Sequence, residues 1–372
     1  MENRDHYWMG LALELASRGR GRVEPNPMVG CVIVEKSELI ASGYHHAFGE
    51  PHAEVMALRQ CDRNRIANAT VYVTLEPCSH HGKTPPCVNL FVENRPKRIV
   101  IAMLDPFPLV SGRGVQALRE QSIDVKVGIL ESKARALNAP YLKLLRLGLP
   151  WVIAKWAMTL DGAIATREKD SKWISNELSR KLVHRLRARV DAVLVGIGTV
   201  LADDPLLNAR FDDHANPCRT AKRVVLDRQC RLPLDSKLVR SLERGPVVVA
   251  VSQGADSNRV KGLAKAGCEM ILIPAEQEAQ SLRFVLNELG KQRQTNVLLE
   301  GGGQLLGHAF DSGLVDEVCC FIAPKIVGGE RALRPVAGFG KSRMADCLKL
   351  NDVIVESLGD DVCIQGVMAP LN

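Results

Sequence analysis

Three metal-binding side chains, His52, Cys78 and Cys87, constrain this chain more than any other feature of its 372 residues. Glu54 lies two positions after the histidine, Cys78 follows Glu54 by twenty-four positions, and Cys87 follows Cys78 by nine. One neutral imidazole and two thiolates fill three corners of the tetrahedron that Zn²⁺ prefers and leave the fourth for water. A carboxylate two residues from a ligand can move protons without coordinating. The fold must therefore carry two segments remote in sequence to one ion. A strand over 70–75 runs into Glu76-Pro77-Cys78, which predicts that Cys78 stands where a helix begins. Pro51 opens another helix, to about Arg59, and His52 lies in its first turn. Thiols at helix N-termini have depressed pKa values, so two facing helix starts are expected to hold the ligands. A structural zinc site is the competing reading; three ligands beside a carboxylate suit an open, catalytic position better.

The rest of the chain reads as two α/β domains, taking roughly 150 residues per domain as a prior. Residues 5–18 predict a helix from Tyr7, Leu11 and Leu15 at four-residue spacing. Strands are expected over 29–34, 70–75, 98–103 and 125–127, alternating with helices around one sheet. A charged helical stretch over 131–150 ends at Gly148-Leu149-Pro150, which places the boundary between domains 1–147 and 148–372. A second sheet starts at 151–157 and continues over 190–195, 223–226, 247–251, 270–273 and 297–299. No run approaches the ~18 apolar residues of a membrane span. The charged N-terminus lacks the apolar stretch of a secretory signal. Eleven scattered cysteines fit a reducing cytoplasm. A net charge of +7 suits a phosphorylated small molecule as well as nucleic acid. Aromatic residues make up only 4%, poor material for stacking on bases, which argues against nucleic acid.

The pattern H-x-E…P-C belongs to the signature of zinc-dependent nucleobase deaminases, with one departure. Eight residues, 79–86, separate the two cysteines here where two are usual. Pro25-Asn26-Pro27-Met28-Val29-Gly30, Gly43-Tyr44-His45-His46, His52-Ala53-Glu54 and the run from Thr74 to Cys87 occur in order. Together they resemble the deaminase half of the bifunctional riboflavin-biosynthesis deaminase/reductase family. The resemblance implies a cytidine-deaminase-like αβα sandwich whose zinc site deaminates a phosphorylated pyrimidine. Glu54 is then the proton carrier between the attacking water, the ring nitrogen and the leaving ammonia. It also implies a substrate pocket lined by Asn26, His45, His80 and Lys83. By composition alone Asn26 between two prolines is a turn, and His81 reads as solvated. Phe107, in Asp105-Pro106-Phe107-Pro108, stands where that family usually has Asn, which leaves the contacts of this loop open.

In the second domain a strand over 295–299 runs into Glu300-Gly301-Gly302-Gly303, with a helix from about Gln304. Such a turn lets a backbone approach a phosphate at a helix N-terminus, and equally serves as a tight turn with no ligand. Lys155 to Gly162, Ser171 to Ile174, Gly196 to Thr199, Asp203 to Arg210, Glu300-Gly301-Gly302 and Ala323 to Gly329 recur in the order of the same family's reductase half. The resemblance implies a dihydrofolate-reductase-like α/β domain using NADPH. Thr159 replaces the more common Ser, a mild change. The dinucleotide would meet Ala157, Trp173, Thr199 and Asp203. It would also meet the segment Gly302, Gly303, Gln304, Leu305, Leu306, Gly307 and His308. The substrate would meet Ser171, Arg187, Leu207, Arg210 and Glu300.

Arg187 and Arg210 suit a phosphate, because a guanidinium fork binds one in bidentate fashion. Most of the basic run from Arg180 to Arg189 reads as a solvated helix face, and Trp173, without the resemblance, reads as core. Lys155 and Glu300 are candidates for proton handling or polarisation as hydride reaches the ribosyl C1′. A homodimer through the reductase domains is implied, with a tetramer as the alternative. Two other readings stand beside this one. One is a nucleic-acid-editing deaminase with an accessory domain; the other is a zinc-stabilised scaffold without catalysis.

Overall fold

In the computed structural model, alternation along the first strand builds two cores at once. Residues 2–79, 85–107, 110–210 and 219–369 are described, and the chain divides into two units, Met1–Leu147 and Gly148–Asn372. In the first unit the elements are α1 (Glu2–Ser17), β1 (Gly30–Glu35), β2 (Glu38–Tyr44), α2 (Ala53–Leu58), α3 (Arg63–Ile66), β3 (Thr70–Val73), α4 (Cys87–Asn94), β4 (Arg98–Ile101), α5 (Arg113–Glu120), β5 (Asp124–Val127), α6 (Glu131–Leu137) and α7 (Ala139–Leu147). The sheet order is β2-β1-β3-β4-β5, with β1 antiparallel to both neighbours and β3, β4 and β5 parallel.

Successive side chains of a strand point to opposite faces. Cys31 and Ile33 therefore join Ala53, Ala57, Phe91 and Leu118 of α2, α4 and α5 in one core. Val32 and Val34 join Met9, Ala12 and Ala134 of α1 and α6 in the other. This is the expected αβα sandwich. A Cβ at Gly30 would lie 2.0 Å from the Ala12 carbonyl oxygen, so only glycine lets α1 press this closely on β1. Strand β2 was not expected from the sequence: Glu38 to Tyr44 is half exposed and carries a glycine, so its apolar alternation is faint.

The second unit holds β6 (Trp151–Thr159), α8 (Glu177–Arg189), β7 (Ala192–Gly196), α9 (Ile197–Asp203), β8 (Lys222–Leu226), β9 (Val247–Ser252), α10 (Ser257–Lys265), β10 (Glu269–Ile273), α11 (Ser281–Lys291), β11 (Asn296–Glu300), α12 (Gly303–Asp311), β12 (Glu317–Ala323), β13 (Leu350–Leu358) and β14 (Asp361–Met368). Nine strands form one sheet in the order β10-β9-β8-β7-β11-β6-β12-β14-β13, parallel from β10 to β12 and closed by antiparallel β14 and β13. Parallel strands are covered on both faces and read as unbroken apolar runs; β9, Val-Val-Val-Ala-Val-Ser, is buried at every position. Strands β12 to β14 were not anticipated. β13 exposes seven of its nine residues and has no inward stripe to betray it. The chain moves outward from β7 to β10, then returns to insert β11 between β7 and β6. Crevices at such topological switch points, beyond the carboxyl ends of the strands, are where open α/β sheets bind ligands.

Candidate active sites

Helix starts and strand ends bring the metal-binding trio together. His52 is the N-cap of α2. Cys87, not Cys78, is the first residue of its helix, α4, with Pro86 as N-cap. This corrects the expectation for Cys78: the eight-residue insertion delays the helix, and Cys78 lies in the loop before it. The Cys87 backbone N–H donates to Cys78 Sγ at 3.3 Å, so Cys78 still meets a helix N-terminus through that bond. His52 Nδ1 is 3.3 Å from Cys87 Sγ and 3.7 Å from Cys78 Sγ. All three donor atoms lie within 4.8 Å of one another.

The Cys78 thiol is pushed down to about 4, first by the Cys87 thiol and against burial, then by His52 and the Cys87 amide. Glu54 is buried and its carboxyl is pushed up to about 7, first by burial and then by the Cys78 charge. Its Oε2 has no hydrogen-bond partner among the described residues. One imidazole and two thiols are the donor set that a catalytic zinc with a water in its open position requires, and the buried carboxylate oxygen beside them suits a base for that water.

Two of the four expected pocket residues join this centre. His45 Nδ1 donates to the Pro51 carbonyl at 3.1 Å, which leaves Nε2 to accept from Asn26 Nδ2 at 3.3 Å. Burial holds the His45 ring neutral by lowering its pKa. Its ring meets the His52 ring edge-on at 5.6 Å. His80 and Lys83, with His81, lie outside the described residues. Phe107 donates its N–H to Asp105 Oδ1, which also accepts from Tyr141 Oη, so the Asp105 loop is held by its own turn.

The sequence reading missed Glu76 and Asn138. Asn138 clamps the Asn26 segment, accepting from Met28 N at 2.8 Å and donating to Met28 O at 3.0 Å. Glu76 accepts from the backbone N–H of Asp105, Gly112 and Val115 at 3.3, 2.9 and 3.1 Å, tying the Cys78 loop to the start of α5. A carboxylate immediately before Pro77-Cys78 was the available signal. Glu76→Ala leaves three buried or half-buried donors unmatched. It should cost about 3 kcal/mol and weaken zinc retention, read by urea denaturation and by competition with a chromogenic chelator. An unchanged urea midpoint would remove Glu76 from this role.

In the second unit Ala157, Trp173, Thr199, Asp203 and Gly302 line one cavity of about 850 Å³. Ser171, Arg187, Leu207, Arg210 and Glu300 line the same cavity, as does Lys155. Register explains part of this: Glu300 ends β11 directly beside Lys155 of β6. Thr199 Oγ1 accepts from Gly302 N at 3.2 Å and joins the ends of β7 and β11.

The remainder of the expected cofactor segment, Gly303 to His308, is not part of this cavity's lining. Leu305 and Leu306 are in the core, Gly307 is buried and Gln304 is exposed. Cβ atoms at Gly303 and Gly307 would lie 2.4 Å from Arg334 O and 2.0 Å from Ala337 O, so these two glycines admit the chain's own backbone. Trp173 is not core: it is 66% exposed, with Arg180 stacked 4.8 Å from its ring.

Arg187 lies on the inward face of α8 one turn after buried Val183, only Lys181 and Arg185 of the basic run are exposed, and the Arg187 fork is taken. Its Nε and Nη2 donate to the two Glu300 oxygens at 2.6 and 2.8 Å. Lys155 Nζ stands 3.9 Å from Glu300 Oε2. Burial works to raise the Glu300 carboxyl, but the Arg187 charge and hydrogen bonds, with Lys155, hold it at about 2. The fork expected to take a phosphate is thus closed on a carboxylate, and exposed Arg210 is the one left open toward the cavity. His184, which the sequence reading passed over, lines the cavity one helical turn from Arg187. Its Nδ1 and the Trp156 Nε1 are buried and meet no hydrogen-bond partner at normal geometry among the described residues. A roomy crevice with orphaned polar atoms and an ammonium at the strand ends fits a nicotinamide dinucleotide and a sugar phosphate.

Comparison with known proteins agrees over the whole chain. Residues 2–103 match the family model of the cytidine and deoxycytidylate deaminase zinc-binding region, and residues 150–364 match that of the RibD C-terminal domain. The riboflavin biosynthesis protein RibD of Actinobacillus pleuropneumoniae is 39% identical over 364 residues, covering 98% of this chain and 95% of that protein. That of Escherichia coli K12 is 38% identical over 375 residues, covering 98% and 100%. The structure of Acinetobacter baumannii RibD, form 1, superposes with a TM-score of 0.87 at 38% identity, covering 99% of this chain and 100% of that one. The Thermotoga maritima diaminohydroxyphosphoribosylaminopyrimidine deaminase/5-amino-6-(5-phosphoribosylamino)uracil reductase gives 0.82 at 34% identity, covering 99% of each chain.

Proposed function

Because the chain belongs to the RibD family of bifunctional riboflavin-biosynthesis enzymes, we propose that it acts on the two pyrimidine ribotides named for its Thermotoga relative. The first step deaminates 2,5-diamino-6-ribosylamino-4(3H)-pyrimidinone 5′-phosphate. The second reduces the ribosyl group to give 5-amino-6-(5-phospho-ribitylamino)uracil. The observation that carries the reading is the meeting of His52, Cys78 and Cys87 beside buried Glu54.

His52, Cys78 and Cys87 would hold zinc, which when bound lowers the pKa of water to about 7. Glu54 Oε2 accepts a proton from the attacking water and passes it to the ring nitrogen, then carries the second proton, from the resulting hydroxyl, to the departing amine. Water adds, ammonia leaves and a carbonyl replaces the amino group. Asn26 and neutral His45 wall the pocket, and the His45 tautomer is fixed by Pro51. His80 and Lys83 are assigned to the ring or ribose and to the phosphate.

Ala157, Trp173, Thr199, Asp203 and Gly302 would hold NADPH, which when bound would supply hydride for C1′ in the second step. As the C1′–O bond breaks, the ribose oxygen gains one proton, and the amino nitrogen, which keeps its own N–H, becomes a secondary amine when hydride reaches C1′. Lys155 is the proton donor and polarising group. Glu300, with both oxygens on Arg187, stays an anion that positions Lys155. Ser171, Leu207 and Arg210 bind the ribotide, with Arg210 on its phosphate. Ala157, Trp173, Thr199, Asp203 and the backbone from Gly302 hold the dinucleotide.

The reductase domain is also assigned the dimer contact. Edge strand β13 exposes Val353, Ile354 and Val355, and Phe339 and Met344 are exposed in the same domain. Light scattering of the Ile354→Glu, Val355→Glu double variant should show loss of the dimer. A wild-type tetramer, or a dimer indifferent to these changes, overturns the assignment. No helix of the described residues is long and apolar enough to cross a membrane, and the described cysteines are free thiols; both support a cytoplasmic enzyme.

The deciding assay gives the zinc-loaded protein its diaminopyrimidinone ribotide, with and without NADPH. Ammonia release and 340 nm absorbance are followed together. Ammonia without NADPH, and oxidation of NADPH only after deamination, is expected. Neither signal sinks the substrate assignment.

A further inference from the structure

We propose that Arg180 is a positioning residue of the reductase, which fixes the Trp173 indole at the mouth of the cavity so that it stands ready as a wall for the bound dinucleotide. The inference rests on the cofactor reading above, which gives Trp173 to the dinucleotide, and adds the residue that holds its ring in place.

Arg180 shares a stripe of α8 with residues of the site. Arg180, His184 and Arg187 recur at i, i+4 and i+7, the spacing of one helical face, and all three line the cavity. The carboxylate one turn back, Glu177, is taken by Lys181 at 2.8 Å. The Arg180 guanidinium turns instead to the segment that precedes the helix. Its Nη1 donates to Ser175 O at 2.7 Å, and its Cζ lies 4.8 Å from the centroid of the Trp173 ring. The helix start beneath it is anchored, since Asp361 accepts from Asn176 N at 2.7 Å and from Ser179 Oγ at 2.6 Å.

Trp173 needs such a partner. The backbone around it is tied down: Ser171 Oγ donates to Asp203 Oδ1 at 3.2 Å, and Lys325 Nζ donates to Trp173 O at 2.6 Å. These bonds place the main chain and leave the ring free to choose among rotamers. An indole that is 66% exposed has little packing to make that choice. A guanidinium over the ring does make it, because the π face attracts the cation. With one face covered by Arg180, the other is left for the cavity that Trp173 lines. A ligand that meets a ring already in position loses less freedom on binding, and affinity rises without any contact between the ligand and Arg180.

The test is a double-mutant cycle on the full-length protein, with NADPH affinity read by calorimetry beside the steady-state constants of reduction. Arg180→Met should weaken NADPH binding three- to tenfold, with the loss falling on KM for NADPH more than on kcat. Arg180→Lys keeps a cation for the ring and should recover part of that loss. In a Trp173→Ala background Arg180→Met should change nothing further, because the ring through which it acts is gone. A loss of the same size in both backgrounds would mean that Arg180 meets the dinucleotide itself, and overturns the positioning role. So does an unchanged affinity in Arg180→Met, whether or not the urea midpoint falls. A Trp173→Ala variant that binds NADPH as wild type does removes the wall, and the inference with it. A wild type that binds no NADPH overturns the cofactor reading on which both stand.

Discussion

Glu54→Gln should retain zinc and lose ammonia release by about a thousandfold, within the range that general acid–base catalysis contributes. The substitution keeps the shape and removes only the proton-accepting oxygen. Glu54 is buried beside the ligands, and its Oε2 meets no hydrogen-bond partner among the described residues. A structural role would predict the reverse pattern, with zinc lost and the fold weakened. The measurement pairs metal content by mass spectrometry with single-turnover ammonia release. NADPH oxidation with pre-deaminated substrate is followed in the same preparation and should persist, because the reductase residues lie in the other unit. Deamination within tenfold of wild type would take Glu54 out of the chemistry.

The second large effect concerns Arg187 and Glu300. Arg187→Met leaves a buried carboxylate with only Lys155, 3.9 Å away. Breaking one side of a buried pair typically costs 3–5 kcal/mol, and reduction should be abolished while ammonia release continues. Trp151, Trp156 and Trp173 lie in the reductase domain, so tryptophan fluorescence during urea denaturation follows this unit. The pH dependence has a definite sign. Glu300 is held at about 2 in the fold, below its ordinary 4.5. Its contribution is complete above the unfolded value and is lost as pH falls from about 4.5 toward 2. The amount is on the order of 3 kcal/mol. Glu300→Gln should flatten the loss of stability across that interval while lowering stability at neutral pH. A wild-type curve that does not change between pH 5 and 3 would show that the pair carries no such linkage.

Much of this was legible in the sequence because the chemistry depends on unusual residue types. His52, Glu54, Cys78 and Cys87 were readable as a zinc centre, and the long apolar runs of β7, β9 and β11 as a covered parallel sheet. Other features depend on partners that spacing does not reveal. Arg187 looked like a phosphate fork because nothing in the sequence shows that Glu300, more than a hundred residues away, closes on it. The helix start moved from Cys78 to Cys87 because the insertion carries no turn signal stronger than its prolines. Gly303 and Gly307 were expected on the cofactor, and spacing does not reveal that the backbone at Arg334 and Ala337 also requires glycine there. Glu76 and Asn138 act on backbone amides, which leave no mark in a side-chain pattern.

The insertion of β11 between β6 and β7 also has a consequence for synthesis. β6 emerges from the ribosome first in its domain, yet both flanking partners, β11 and β12, come much later. Roughly 140 residues of chain separate the end of β6 from the start of β11, on the order of ten seconds of translation at typical elongation rates. During that interval the apolar segment Val152-Ile153-Ala154 has no strand to pair with, while β7 to β10 can already assemble. The reductase crevice therefore cannot form until β11 is made, after β7 to β10. Translation stalled before Asn296 should expose β6 to chaperones and proteases, with the neighbouring strands already folded.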